Sequence, residues 1–185
     1  MANTWTARTA GAVAFASNKS MIAVVNLASS GLVARVYRIW ALNNQTGAVT
    51  GVITPVIVSR VTTAQTTAAG ITATATITPV AHDTNNSSIT DKVACYTGAT
   101  TNMTVVANST YRQILLTNDE PATTVLTPDE FWCFPLIAEI FTTGYKDSNV
   151  EPIVLRAGEG LEVRQPGANA AGLFQFNMLF TVGNS

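Results

Sequence analysis

Side chains that could do covalent chemistry are scarce in this 185-residue chain, which has one histidine and two cysteines. His82 stands in Ala81-His82-Asp83-Thr84-Asn85, at the end of a strand-like run. Nucleophilic catalysis needs a base beside a serine, threonine or cysteine. No serine here lies in a Gly-x-Ser-x-Gly elbow, so His82 reads as a solvated turn residue. Nor can one histidine and the distant pair Cys95 and Cys133 assemble a tetrahedral transition-metal site. The cysteines read as small buried hydrophobes, with a disulfide as the other reading. Asp147, Asn149 and Glu151, at alternate positions, are the best candidates for a hard cation such as calcium, but they lack the glycine and the further oxygen ligands of a calcium loop. Asp119-Glu120 and Asp129-Glu130 bracket a proline-containing loop, where two carboxylates could meet across a cleft. Gly158-Glu159-Gly160 is too short to cradle a phosphate and carries an acid that would repel one. The expectation is a protein that is not an enzyme and uses neither a metal nor a cofactor.

Arginine and aromatic positions say more, because Arg, Tyr and Trp dominate contact energies between proteins. In Leu32–Leu42, strict alternation puts Arg35, Tyr37 and Ile39 on one face and Val36, Arg38, Trp40 and Leu42 on the other. Such a strand cannot be buried on both faces without placing an arginine in an interface or at a sheet end. These charges are therefore either strand-end groups near solvent or part of a subunit or partner contact. Trp5 poses a related problem, since an indole is stabilised only when its apolar body is covered. Ala2–Ala16 has no core-forming pattern of its own, so residues 1–19 read as an extended N-terminal arm lying on a neighbouring subunit. Trp5, Arg35, Tyr37, Arg38, Trp40 and Leu179 are the candidate protein-interface residues.

The elements that would position them are strands. Between Arg38 and Asp83 the only charged side chain is Arg60, and the interval is filled with Val, Ile, Ala and Thr. Ile71, Ala73, Ala75 and Ile77 alternate with Thr72, Thr74, Thr76 and Thr78, a period of two. Ser20–Leu27 and Leu32–Leu42 flank the turn Ala28-Ser29-Ser30-Gly31. Further runs are Ala48–Val61, Ile71–Val80, Lys92–Tyr96, Met103–Ala107 and Tyr111–Thr117. Pro55 and Pro79 mark edges or bulges, because proline gives no ladder donor. Glu130–Phe141 reads as a strand with a bulge, since Pro135 would cost a helix ~3 kcal/mol. Ile153–Leu155 and Leu161–Gln165 flank a corner at Arg156–Gly160, whose two glycines are free to take positive φ. In the last run Phe174, Phe176, Met178, Phe180 and Val182 face the core, while Gln175, Asn177 and Leu179 face outward. The fold class is all-β: one antiparallel β-sandwich over 20–185, of jelly-roll type because of its long connections.

Composition limits the partners. Charged residues make up 11% of the chain, against about a quarter in ordinary soluble domains, so much of its exterior is neutral or covered. The net charge is -1 and the basic residues are scattered, which excludes a phosphate-gripping surface and argues against nucleic acid. The uncharged stretch Val61–Ala81 is interrupted by Thr, Gln, Gly and Pro, so it is sheet and not a membrane span. No basic and apolar leader precedes the first runs, so synthesis in a cytosol is expected.

Glu151–Val163, with its proline-led strand and glycine corner, followed by Gly172-Leu173-Phe174-Gln175-Phe176-Asn177, resembles the closing hairpin of small structural proteins of tailed bacteriophages. The resemblance is confined to this carboxyl-terminal region. It implies a capsid decoration, or cement, protein: a jelly roll that sits on the capsid exterior of the virion as a homo-oligomer, commonly a trimer, and clamps neighbouring major capsid protein subunits. No catalytic residues are implied. The competing expectations are a tail or head-fibre module that binds host glycan and a self-polymerising fibre subunit.

Overall fold

A computed structural model describes residues 3–11, 13–14, 19–43, 53–62, 75–99, 105–117, 137–143, 151–166 and 173–184. The strands are β1 (Asn3–Arg8), β2 (Val13–Ala14), β3 (Ser20–Asn26), β4 (Val33–Asn43), β5 (Ile53–Thr62), β6 (Ala75–Ile77) and β7 (Val80–Ala81). They continue with β8 (Val93–Ala99), β9 (Val105–Thr117), β10 (Ile137–Thr142), β11 (Ile153–Leu155), β12 (Glu159–Arg164) and β13 (Leu173–Gly183). One sheet runs β10-β4-β13-β1-β7, with β11 also beside β4 and β2 beside β13. The other runs β6-β8-β3-β12-β5-β9, and the pairings are antiparallel throughout. The two sheets pack on each other as a β-sandwich.

Period-two alternation builds the layer between them. Phe174, Phe176, Met178, Phe180 and Val182 of β13 are all buried, as the alternation of that run requires. They join Ala34, Val36, Ile39 and Ala41 of β4 in one apolar cluster with Ile22, Val24, Val58, Leu161 and Val163 of the facing sheet. Strand β3, flanked by β8 and β12, is buried at every position, and its run of Met, Ile, Ala and Val fits a strand covered on both faces.

The amino-terminal segment corrects the arm expected for residues 1–19. Asn3–Arg8 is a strand of the larger sheet, hydrogen-bonded to β13 on one side and to β7 on the other. Trp5 pairs with Phe180, their rings stacked 6.4 Å apart at 22°, and only 3% of Trp5 is exposed. The cover that the indole demands comes from the chain's own core, so its burial needs no neighbouring subunit.

Two of the short connections that cross from one sheet to the other meet at Asn26. Leu27–Leu32 carries β3 of the smaller sheet to β4 of the larger; its turn is closed by Ser30 N donating to Leu27 O (2.9 Å), and Gly31 takes a φ of 63°. Arg156–Gly158 carries β11 back to β12, so the segment expected as a hairpin is a crossover between sheets. Asn26 ties both connections: its buried side-chain amide donates to Leu32 O (2.8 Å) and to Leu155 O (2.9 Å), and its backbone carbonyl accepts from Gly158 N (2.9 Å). Of the corner's glycines only Gly158 takes a positive φ, 93°. Gly160 serves close packing instead, since a Cβ there would stand 2.8 Å from Val61 Cγ2 and 2.9 Å from Val25 Cγ2.

Other boundaries shift. The two runs expected at Met103–Ala107 and Tyr111–Thr117 are one strand, β9, whose register against β5 breaks near Asn108, a residue with φ of 56°. At Pro55, β5 pairs with β9 alone, because its register with β12 stops at Ile57. Pro79 lies between strands, where the chain leaves β6 in one sheet for β7 in the other. The bulge expected in Glu130–Phe141 is found between Glu139 and Phe141, while Pro135 and Cys133 lie outside the described residues.

Candidate functional site

The outer face of the larger sheet gathers most of the candidate interface residues, and a bulge is what gathers them. Along β4 and β13, Leu179 pairs with Arg38 and Phe180 with Val36, so Tyr37 is an extra residue without a partner on β13. Its carbonyl accepts from Thr143 N instead (2.9 Å). An inserted residue reverses the alternation beyond it. Ala34 and Val36 before it, and Ile39 and Ala41 after it, therefore all face the core. Arg35, Arg38, Trp40 and Leu42 consequently share the outer face, where strict alternation had divided Arg35 from Arg38 and Trp40.

Strand pairing turns these positions into rows across the sheet. Thr142, Arg38, Leu179, Thr6 and Val80 form one row, Glu139, Trp40, Asn177 and Arg8 the next, and Ile137, Leu42 and Gln175 the third. Arg35, Thr181 and Thr4 form a fourth. Val80 and Ile137 are exposed at 66% and 52%. Gln175 and Asn177 lie on this outer side of β13, as alternation assigns them, yet both are covered. Gln175 Nε2 donates to Thr9 O at 2.9 Å, and Thr9 Oγ1 accepts from Phe176 N at 3.2 Å.

Arg38 is the fixed point of the face. Its Nε lies 3.1 and 3.0 Å from the two Glu139 carboxylate oxygens, its Nη2 donates to Oε2 at 2.7 Å, and its Cζ stands 4.8 Å from the centroid of the Trp40 ring. These hydrogen bonds to Glu139 hold the guanidinium pKa above its usual value. A planar cation held by a carboxylate and an indole has little rotamer freedom left to lose when a partner covers it. Glu139 was not among the candidates. Its sequence signal is an acid inside a long apolar run, but only the pairing of β10 with β4 brings it to Arg38.

The other chemistry-bearing residues do not converge. His82 is exposed, its Nε2 2.8 Å from Thr6 Oγ1 and its backbone N donating to Thr4 O. Cys95 is free and buried, which pushes its thiol pKa far up. Asp119, Glu120, Asp129, Glu130, Asp147 and Asn149 lie outside the described residues, and Glu151 is exposed. Among the described residues no group of three His, Cys, Asp or Glu could hold a metal. Arg60 bridges the two sheets at their rim, donating to Glu159 Oε2 (2.6 Å), Tyr111 Oη (2.9 Å) and Val154 O (2.9 Å). Glu162 is fully buried and ion-paired with Arg164 at 2.5 Å. No helix among the described residues is long and apolar enough to cross a membrane.

No family model matches the chain, and no curated protein or solved structure matches it.

Proposed function

We propose that this chain is a structural protein that docks on other protein subunits through the outer face of its larger sheet. The observation that carries this reading is the Arg38–Glu139–Trp40 constellation, set among Leu42, Leu179, Ile137 and Val80 on one face of a hydrogen-bonded sheet. Aromatic and arginine anchors among exposed aliphatic groups are the composition of a protein contact. A standard interface takes ~800 Å² per partner, a small part of the chain's 9770 Å² surface. The low charge of the chain supports the same reading, since neutral polar surface is inexpensive to desolvate compared with charge.

The carboxyl-terminal resemblance makes the proposal more specific: a decoration protein on a bacteriophage capsid, jelly-roll in type, acting as a homo-oligomer, with a trimer favoured, and clamping the major capsid protein. Binding only the expanded lattice would add its free energy to that state by linkage. Neither a cofactor nor nucleic acid has a part in this reading. Light scattering on the purified chain, followed by gradient sedimentation with expanded heads, tests it. An oligomer that travels with the heads and raises their melting temperature is expected. A monomer left at the top of the gradient would overturn the proposal.

A further inference from the structure

A cleft of about 470 Å³ opens where β1 begins and β13 ends, and its lining shares no residue with the outer-face rows. Asn3, Asn85, Asn86, Asn184, Ser87 and Ser88 line it as a polar wall, and Trp5, Ile89 and Val182, each less than a tenth exposed, contribute little to its surface. The turn that supplies the wall is fixed in place. Asn85 N donates to Asp83 Oδ1 (2.9 Å), Asn86 N to Asp83 O (3.0 Å), and His82 N to Thr4 O (2.9 Å) of β1. Beyond the turn, Lys92 N and Val93 N both donate to Ile89 O at 2.8 Å. The wall is therefore presented from hydrogen-bonded backbone on both sides.

The lining decides the class of ligand by what it contains. All its described residues are neutral, so it offers an anion no cation to pair with and a cation no carboxylate. Each asparagine amide instead provides two donors and a carbonyl acceptor, and each serine hydroxyl provides both. Vicinal hydroxyls, which donate and accept from adjacent carbons, complement such a wall. The volume lies in the ordinary range for small-molecule sites and admits a mono- or disaccharide. We propose that this cleft binds a neutral saccharide unit, held by the amides of Asn3, Asn85, Asn86 and Asn184. The inference does not rest on the docking face, and either could fail alone.

The test is amide-detected NMR of the ¹⁵N-labelled full chain titrated with lactose, maltose, mannobiose and N,N′-diacetylchitobiose at millimolar concentration, with triglycine and inorganic phosphate as controls. At least one disaccharide should shift the backbone signals of Asn85–Ile89 and the side-chain amide signals of Asn3 and Asn184. The double variant Asn85→Ala, Asn86→Ala should weaken that titration about tenfold or more, equivalent to ~1.4 kcal/mol, with an unchanged melting temperature. Silence toward all the disaccharides overturns the proposal. So do equal shifts with triglycine or phosphate, or a titration that the double variant leaves untouched.

Discussion

At the scale of residues, β13 shows how alternation assigns one face correctly and leaves the other undetermined. Phe176 is fully buried, and truncating such a ring typically costs ~3 to 5 kcal/mol. At ~2 to 4 °C per kcal/mol for a chain of this size, Phe176→Ala should lower the melting temperature by roughly ten degrees. Gln175 was legible only as a polar residue on the opposite face, because alternation says nothing about what covers that face. With its amide donating to Thr9 O in a buried setting, Gln175→Ala should cost ~1 to 3 kcal/mol by leaving the carbonyl unpaired. Circular dichroism melts at matched protein concentration check both values.

A second residue-scale prediction concerns Glu162. Burial raises its pKa above the ordinary 4.5, against the opposing pulls of Arg164 and of Ser20 on β3. A raised folded pKa means that between 4.5 and that higher value the folded state binds more protons than the unfolded one, so this group's contribution to stability falls as pH rises through the window. The melting temperature of the wild type minus that of Glu162→Gln should therefore decrease from pH 4.5 toward neutrality. A difference that stays constant or grows would show that the carboxyl is not desolvated. Arg164→Ala, which leaves the acid buried without its partner, should cost ~3 to 5 kcal/mol.

At the scale of elements, the strand content was legible because Val, Ile, Thr and aromatic residues with period two have few other ways to fold. Which strands pair was not. Ile153–Leu155 and Glu159–Arg164 are adjacent in sequence, with a glycine corner between them, yet β11 pairs β4 while β12 lies between β3 and β5. A corner residue at positive φ serves a hairpin and a sheet-to-sheet crossover alike, so the local sequence cannot separate them. β1 was misread for a related reason: Asn3-Thr4-Trp5-Thr6-Ala7-Arg8 carries little apolar weight alone, and its place is set by a ladder to β13 at the far end of the chain. Deleting residues 2–8 should abolish cooperative thermal unfolding, because it exposes the inner edge of β13 and removes the ring stacked on Phe180. A truncated chain that still melted cooperatively near the wild-type temperature would show that β1 is an accessory arm after all.

At the scale of the whole molecule, the proposed docking face was half legible. The residue types of Arg35, Arg38, Trp40 and Leu179 flagged a contact surface, but their convergence depends on the Tyr37 bulge, and bulges leave no mark in an alternating run of apolar and polar residues. Glu139 enters only through the pairing of β10 with β4. Because Trp40 and Arg38 lie on the outer face, replacing them should leave the inner core intact and change binding alone. The most direct measurement is quantitative co-sedimentation of the wild type and of Arg38→Ala, Trp40→Ala with expanded heads, with melting temperatures taken in parallel. The expected result is bound wild type and a double variant weakened at least ~100-fold, in line with anchors worth ~2 kcal/mol or more when truncated, with the melting temperature moved by no more than a few degrees. A double variant that binds as tightly as the wild type would contradict the assignment of this face.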